Sequence, residues 1–322
     1  MTEFKWSYMD HWLTRTPQGL QPPQFNKDYT DSYIKQLAAL GFSGLDTMFY
    51  SVYQYAAMYG SMKAFEHRIQ DLGLEKVTGV FRAWAQATRY AAPHVRQTHE
   101  RIIEDCRQTV GQLEGLTGVE NFIVMPSCTY YQVEPVTDDK IKTMAELWTR
   151  VGEMTAQYGM RLTCHLEFWG AIRTLEQIDT FFDYSDPRYV NFFCDTAQHA
   201  IAGVDPVELF RKYSARCSGF HFKDAHQVDR DDLYRTPPDP ERQSRGVRRW
   251  FHEMGAGGGL VDFPGLMRAI VETGWDGLLT VEHDEADMND YGSSYAQATA
   301  VAKWYIDNVL AQAERAAREE TK

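Results

Sequence analysis

Short apolar runs alternate along the chain with longer stretches in which an apolar residue recurs every three or four positions. The short runs read as strands: Phe4–His11, Gly44–Tyr50, Lys76–Ala83, Asn121–Met125, Arg161–Phe168, Val190–Thr196, Ser218–Asp224 and Gly277–Asp284. The longer stretches read as helices over Asp28–Leu40, Ser61–Leu72, Pro93–Leu113, Asp138–Tyr158, Thr174–Phe182, Pro206–Ser214, Pro264–Thr273 and Tyr291–Gln312. Several helices end in a glycine that leads into the next strand, as at Gly41, Gly73, Gly159 and Gly274, where a left-handed cap is expected. Eight such β/α units predict a single-domain (β/α)8 TIM barrel over residues 1–312, with a charged tail at 313–322. Periodicity does not show closure, so a doubly wound open sheet is the second architecture it allows. The longest irregular stretch, residues 225–259, falls after the seventh strand. In a barrel it would lie over the active-site mouth.

Composition narrows the function. The 322 residues carry 45 acidic and 33 basic side chains, a formal charge of −12, which argues against a nucleic-acid partner. No run of 18 apolar residues exists, so no membrane span is expected. The opening MTEFKWSYMD has no basic stretch followed by an apolar one, and the expectation is a cytoplasmic protein. The five cysteines form no CxxC pair and read as reduced core thiols. The glycine run Gly255–Gly259 lacks the spacing and the preceding strand of a dinucleotide site.

The chemistry sits at the carboxyl ends of the last four strands. These end in His165-Leu166-Glu167, Cys194-Asp195-Thr196, His221-Phe222-Lys223-Asp224 and Glu282-His283-Asp284. Side chains alternate along a strand, so His165 shares a face with Glu167, and His221 with Lys223. If those faces point inward, Glu167, Asp195, His221 and Glu282 converge at one mouth. A single charged residue at a strand end is an ordinary rim residue or helix cap. Four in a row, buried without a cation, would set like charges against each other at considerable cost. The donor set suits one divalent ion of the Mn²⁺, Mg²⁺, Co²⁺ or Fe²⁺ type better than a thiolate site does.

The segments HLE, CDTAQH, GFHFKD and TVEHD, with MGAGGGLVDFPGLMRAIVETGWDGLLTVEHD, resemble the xylose-isomerase-like TIM-barrel superfamily of sugar phosphate isomerases, epimerases and inosose dehydratases. The resemblance runs from about Asn121 to Asp284; the first 120 residues are similar only as barrel units. It implies that Glu167, Asp195, His221 and Glu282 hold one metal ion, commonly manganese with zinc among the alternatives, and that His199 faces the substrate. His165, Glu167 and Glu282 are the candidates for proton transfer, with Lys223, Tyr130 and Tyr131 as further substrate contacts. The amino-terminal half adds aromatic residues after its strands, among them Phe49, Tyr50, Tyr53, Tyr55, Tyr59, Trp84, Tyr130 and Tyr131. Any one of these suits the core; together they suggest a flat aglycone. In this the chain is similar to the metal-binding subunit of bacterial C-glycoside deglycosidases, which implies a 3-oxo-C-glycoside substrate and a small β-rich partner subunit.

The leading expectation is therefore a metal-dependent lyase on a keto-sugar that cleaves the carbon–carbon bond to an aromatic aglycone by β-elimination. The alternative is an inosose dehydratase or ketose epimerase using the same site. Two rivals are a metal-free retaining glycosidase with Glu167 and Glu282 as its carboxylate pair, and a non-catalytic sugar-binding subunit. The glycosidase leaves Asp195 and His221 without a role. The binding subunit has no use for four competent ligand positions.

Overall fold

The strands are β1 (Trp6–Met9), β2 (Gly44–Met48), β3 (Lys76–Arg82), β4 (Asn121–Val124), β5 (Arg161–His165), β6 (Val190–Asp195), β7 (Cys217–Phe222), β8 (Asp224–Ala225), β9 (Phe251–His252) and β10 (Leu279–Val281). Eight of them pair in parallel and close into a barrel in the order β1-β10-β7-β6-β5-β4-β3-β2, while β8 and β9 form a small antiparallel pair outside it. Closure through β1 and β10, with Trp6 opposite Leu279 and Tyr8 opposite Val281, removes the open-sheet alternative. The computed structural model describes residues 4–10, 27–84, 87–236, 250–283 and 295–321. Asp284 and the 237–249 part of the long loop lie outside the described residues.

The predicted helices surround the barrel, and their glycine caps take the expected form, with Gly73 and Gly274 at φ +109° and +67°. Three helical pieces follow strand ends outside the helices that periodicity predicts: Phe49–Tyr59, Tyr130–Val133 and Thr196–Ile201. The first buries Ser51, Val52 and Tyr55, a helical spacing that the surrounding tyrosines mask. At the carboxy terminus most charges are solvated, as at Arg315, Glu319 and Glu320, but the segment is also anchored. Ala311–Glu320 is a helix packed on Phe263–Glu272, with Ala317 and Glu314 buried. Small alanines four apart (Ala313 and Ala317) let the two helices approach closely, and Arg318 lies over the ring of Phe4. The cysteines are all free thiols, four of them buried.

The barrel interior is divided. On one arc, Met9, Met48, Phe81, Ile123 and Met125 form an apolar wall that Phe193 of β6 completes. On the other arc, β5, β6, β7 and β10 carry ionisable residues. Towards the amino-terminal ends of the strands lies a hydroxyl-rich layer, in which Ser7 bonds Thr280 at 2.6 Å and Ser218 bonds Thr163 at 2.6 Å. Two β-bulges feed it, because Thr78 and Ser218 are the extra residues where the register shifts between β2 and β3 and between β6 and β7. Gly219 makes room for Phe193: a Cβ there would stand 2.6 Å from the ring. The described parts of the long loop pack at the mouth. Tyr234 meets Tyr130 edge-on at 4.8 Å and receives the Arg173 guanidinium on its face at 3.4 Å, while Phe251 packs against Phe168 at 6.3 Å.

Gly219→Ala is expected to overpack this interior and cost about 1–3 kcal/mol. Urea unfolding of the variant beside the native chain checks it.

Candidate metal centre

Four side chains from four successive elements of the barrel arc meet at the carboxyl ends of the strands. One ligand atom from each of His165, Asp195, His221 and Glu282 lies within 4.8 Å of the others, and all four residues are buried. His165 Nε2 is 3.1 Å from Asp195 Oδ2 and 3.2 Å from His221 Nδ1, and His221 Nδ1 is 2.9 Å from Glu282 Oε2. Asp195 is set by the fold on both sides. Its Oδ1 accepts the backbone N–H of Gln198 and so caps the helix Thr196–Ile201, leaving Oδ2 for the cluster. Gln198 in turn accepts the N–H of Phe168, tying the β5 and β6 ends together.

Lys223 is the cation of this arrangement. Its Nζ lies 3.1 Å from Asp195 Oδ2 and 3.0 Å from Glu282 Oε2, and Phe251 from the long loop covers it at 4.3 Å. A buried ammonium between two carboxylates lowers their mutual repulsion. Burial favours the neutral ring of His165, but Glu167 beside it and the bond to Asp195 outweigh this and raise its pKa to about 10. His221 is likewise raised, because Glu282 and Asp46 outweigh the cost of burying its charge. Burial dominates at His199, whose pKa falls to about 4. The donor set, two imidazole nitrogens and two carboxylate oxygens in reach of one point, fits a divalent ion of the Mn, Fe, Co or Zn type.

Asp195, His221 and Glu282 come together as the sequence predicts. The fourth member differs: the structure gathers His165, and Glu167 stands beside it with Oε1 3.3 Å from His165 Nδ1. The reason is local, since β5 ends at His165 and the chain has left the ladder by Glu167. His199 is buried on the capped helix with its ring 5.6 Å from Phe192, a residue of the layer between barrel and helices. Tyr130 packs on Tyr234, and Tyr131 is half-buried beside it. The other aromatics are largely taken up in packing: Tyr55 stacks on Phe65 at 4.2 Å, Trp84 meets Trp148 at 5.3 Å, and Tyr59 donates to Asp31 at 2.7 Å. The glycine run serves close approach. A Cβ on Gly259 would fall 1.8 Å from Asp224 Oδ2. Sequence reading missed Asp46, which lies 3.5 Å from His221 Nε2. The signal was a lone acid in the strand GLDTM.

A model of the xylose isomerase-like TIM barrel family matches residues 34–307. The chain belongs to this family. The inosose dehydratase of Lacticaseibacillus casei is 29% identical over 174 residues, which is 54% of this chain and 56% of that protein. That of Bacillus velezensis is 28% identical over 176 residues, with the same coverage of 54% and 56%. The chain thus matches about half the length of these curated relatives. Among solved structures, the IolI protein with a bound zinc atom superposes with a TM-score of 0.70 at 14% identity, covering 96% of this chain and 98% of that one. An L-ribulose 3-epimerase superposes with a TM-score of 0.68 at 16% identity, covering 99% of both chains. At these identities the solved structures show a shared fold. Among the described residues, no helix is long and apolar enough to cross a membrane.

One consequence concerns pH. The folded pKa of His199, about 4, lies below the 6.5 of a free histidine, so between those values the unfolded chain binds more protons. The stability contributed by this residue is complete above pH 6.5 and is lost as pH falls towards 4. Between pH 7 and pH 5 the native chain should lose about 2 kcal/mol more than His199→Gln does. Urea unfolding at the two pH values measures the difference.

Proposed function

We propose that this protein is a divalent-metal-dependent enzyme that removes a proton beside the carbonyl of a keto-cyclitol or keto-sugar and expels a β-hydroxyl as water. The observation that carries the reading is the cluster of His165, Asp195, His221 and Glu282 at the carboxyl ends of the barrel strands. Active sites of this architecture are built at that end, and the relatives at 28–29% identity are inosose dehydratases. Asp195, His221 and Glu282 would hold the ion with Glu167 as the fourth ligand, which leaves His165 beside them as an acid, and manganese and zinc both suit these donors. When bound, the ion supplies Lewis-acid polarisation of the substrate carbonyl, which acidifies the neighbouring C–H.

The protein's own groups carry the protons. Glu167 takes the carbon-bound proton, and the electron pair of that C–H bond becomes the new carbon–carbon double bond as the β C–O bond breaks. Protonated His165 gives its proton to the departing oxygen, which leaves as water. The 3.3 Å contact between Glu167 and His165 then lets the proton return to the imidazole, so the pair is reset without outside help. Lys223, held against Asp195 and Glu282, keeps the carboxylate pair oriented. Phe251 shields that side from water. Returning the proton to carbon without loss of the β-group would give epimerisation at the same site.

The C–C cleavage of a 3-oxo-C-glycoside, with its small partner subunit, is the less favoured reading. The aromatic residues that suggested a flat aglycone are largely occupied in packing, and inosose dehydratase relatives point to dehydration.

Elemental mass spectrometry of the purified protein should find about one Mn, Fe, Co or Zn per chain, lost in Asp195→Ala. The metal-loaded protein should convert an inosose to its enone, followed by ultraviolet absorbance. His221→Ala should lower turnover by at least about 100-fold. Full turnover after exhaustive chelation would overturn the reading.

A further inference from the structure

Asp46 has no part in the chemistry above, yet the barrel is built to hold its carboxylate. It lies on β2, buried in the interior, on an arc otherwise lined by Met9, Met48, Phe81 and Ile123. Thr78, the extra residue of the β2–β3 bulge, donates to its Oδ1, and Thr280 donates to Oδ2 at 3.0 Å. Gly79 leaves the space: a Cβ there would stand 3.1 Å from Oδ1 and 2.8 Å from the end of Ile123. Below Asp46, a cavity of about 230 Å³ runs towards the amino-terminal ends of the strands, bordered by Lys76, Asn121, Arg161 and Ser218. The carboxylate is thus held by hydroxyls beside open space rather than wedged in a packed core, and a side chain of similar or smaller size fits without overpacking.

The two nitrogens of His221 face in different directions. Nδ1 looks into the cluster, 2.9 Å from Glu282 and 3.2 Å from His165. Nε2 is buried with no nearer polar partner than Asp46 Oδ2 at 3.5 Å. An imidazole that gives one nitrogen to a metal must carry its proton on the other, and an acceptor behind the ring fixes both tautomer and orientation. We propose that Asp46 is a positioning residue of the metal centre: its carboxylate takes the Nε2–H of His221, keeps Nδ1 turned to Asp195 and Glu282, and thereby sets the affinity of the site for its ion. The inference rests on the metal-dependent reading above and adds to it a residue from the opposite arc of the barrel.

The test compares native protein, Asp46→Asn and Asp46→Ala, each with a native-like thermal unfolding midpoint. Zn²⁺ is titrated into chelator-stripped protein against a chromophoric competitor. Long-range ¹H–¹⁵N spectra of histidine-labelled protein are recorded with and without Zn²⁺, His221 being assigned by its loss in His221→Asn. Asp46→Ala is expected to bind Zn²⁺ about 10–100-fold more weakly and to lose the slowly exchanging Nε2–H of His221. Asp46→Asn keeps an acceptor oxygen and should restore the affinity to within a few-fold. Asp46→Ala binding Zn²⁺ as the native chain does, or Asp46→Asn as weak as Asp46→Ala, overturns the proposal. If the native chain takes up no Zn²⁺, the metal reading fails, and the spectra without metal still decide: an Nε2–H that persists in Asp46→Ala removes the role of Asp46.

Discussion

Glu167, Asp195 and Glu282 are buried close together, and three carboxylates in such a place need positive charge within reach. The upper half of the barrel is arranged around that need. Lys223 stands between Asp195 and Glu282, while His165 lies against Asp195 and Glu167, and His221 against Glu282. The dipole of a short helix adds to this, because Asp195 caps its first turn. These six groups come from the carboxyl ends of four strands or the one or two residues that follow them. The cluster can therefore exist only if β5, β6, β7 and β10 keep their register, and closure between β1 and β10 is what holds the last of them in line.

The remainder of the interior serves the same geometry by subtraction. Where a carboxylate or a phenyl ring must fit, the facing strand offers a glycine: Gly79 opposite Asp46 and Gly219 beneath Phe193. Where a hydroxyl is wanted below the cluster, a bulge supplies one, as with Thr78 and Ser218. Among its described residues, the long loop after β7 brings hydrocarbon to the centre. Phe251 roofs Lys223, and Tyr234 is locked to Tyr130 and Arg173 further out.

Much of this was legible in the residues. Each strand is an apolar run, and a polar side chain at the end of such a run has no reason to be there unless the end does something; Asp195, His221 and Glu282 announce themselves in this way. The fourth ligand was not decidable, since alternation places His165 and Glu167 on one face. Which of them joins the cluster depends on where the ladder stops. Asp46 was hidden for a different reason: its partner is His221, 175 positions away and across the barrel, and no local pattern encodes that pairing. The helix Phe49–Tyr59 was obscured because tyrosine occupies both faces. The packing of the carboxy-terminal helix was obscured because alanine, which lets helices pack closely, also reads as a solvated spacer among charges.

The division of the barrel interior has a stereochemical consequence. Proton donors and acceptors line one arc, and thioether and aromatic carbon line most of the other. A flat ring lying across the mouth would rest one face on hydrocarbon and turn the other to Glu167, His165 and Lys223. Bonds to hydrogen on the hydrocarbon side would lie over Met9, Met48 and Phe81, and Asp46, the carboxylate described on that arc, is held by Thr78 and Thr280 and turned to His221. The two faces of a prochiral carbon are thus made unequal by the wall as much as by the catalytic groups, and an elimination carried out here would proceed with both departing groups on the same side of the ring.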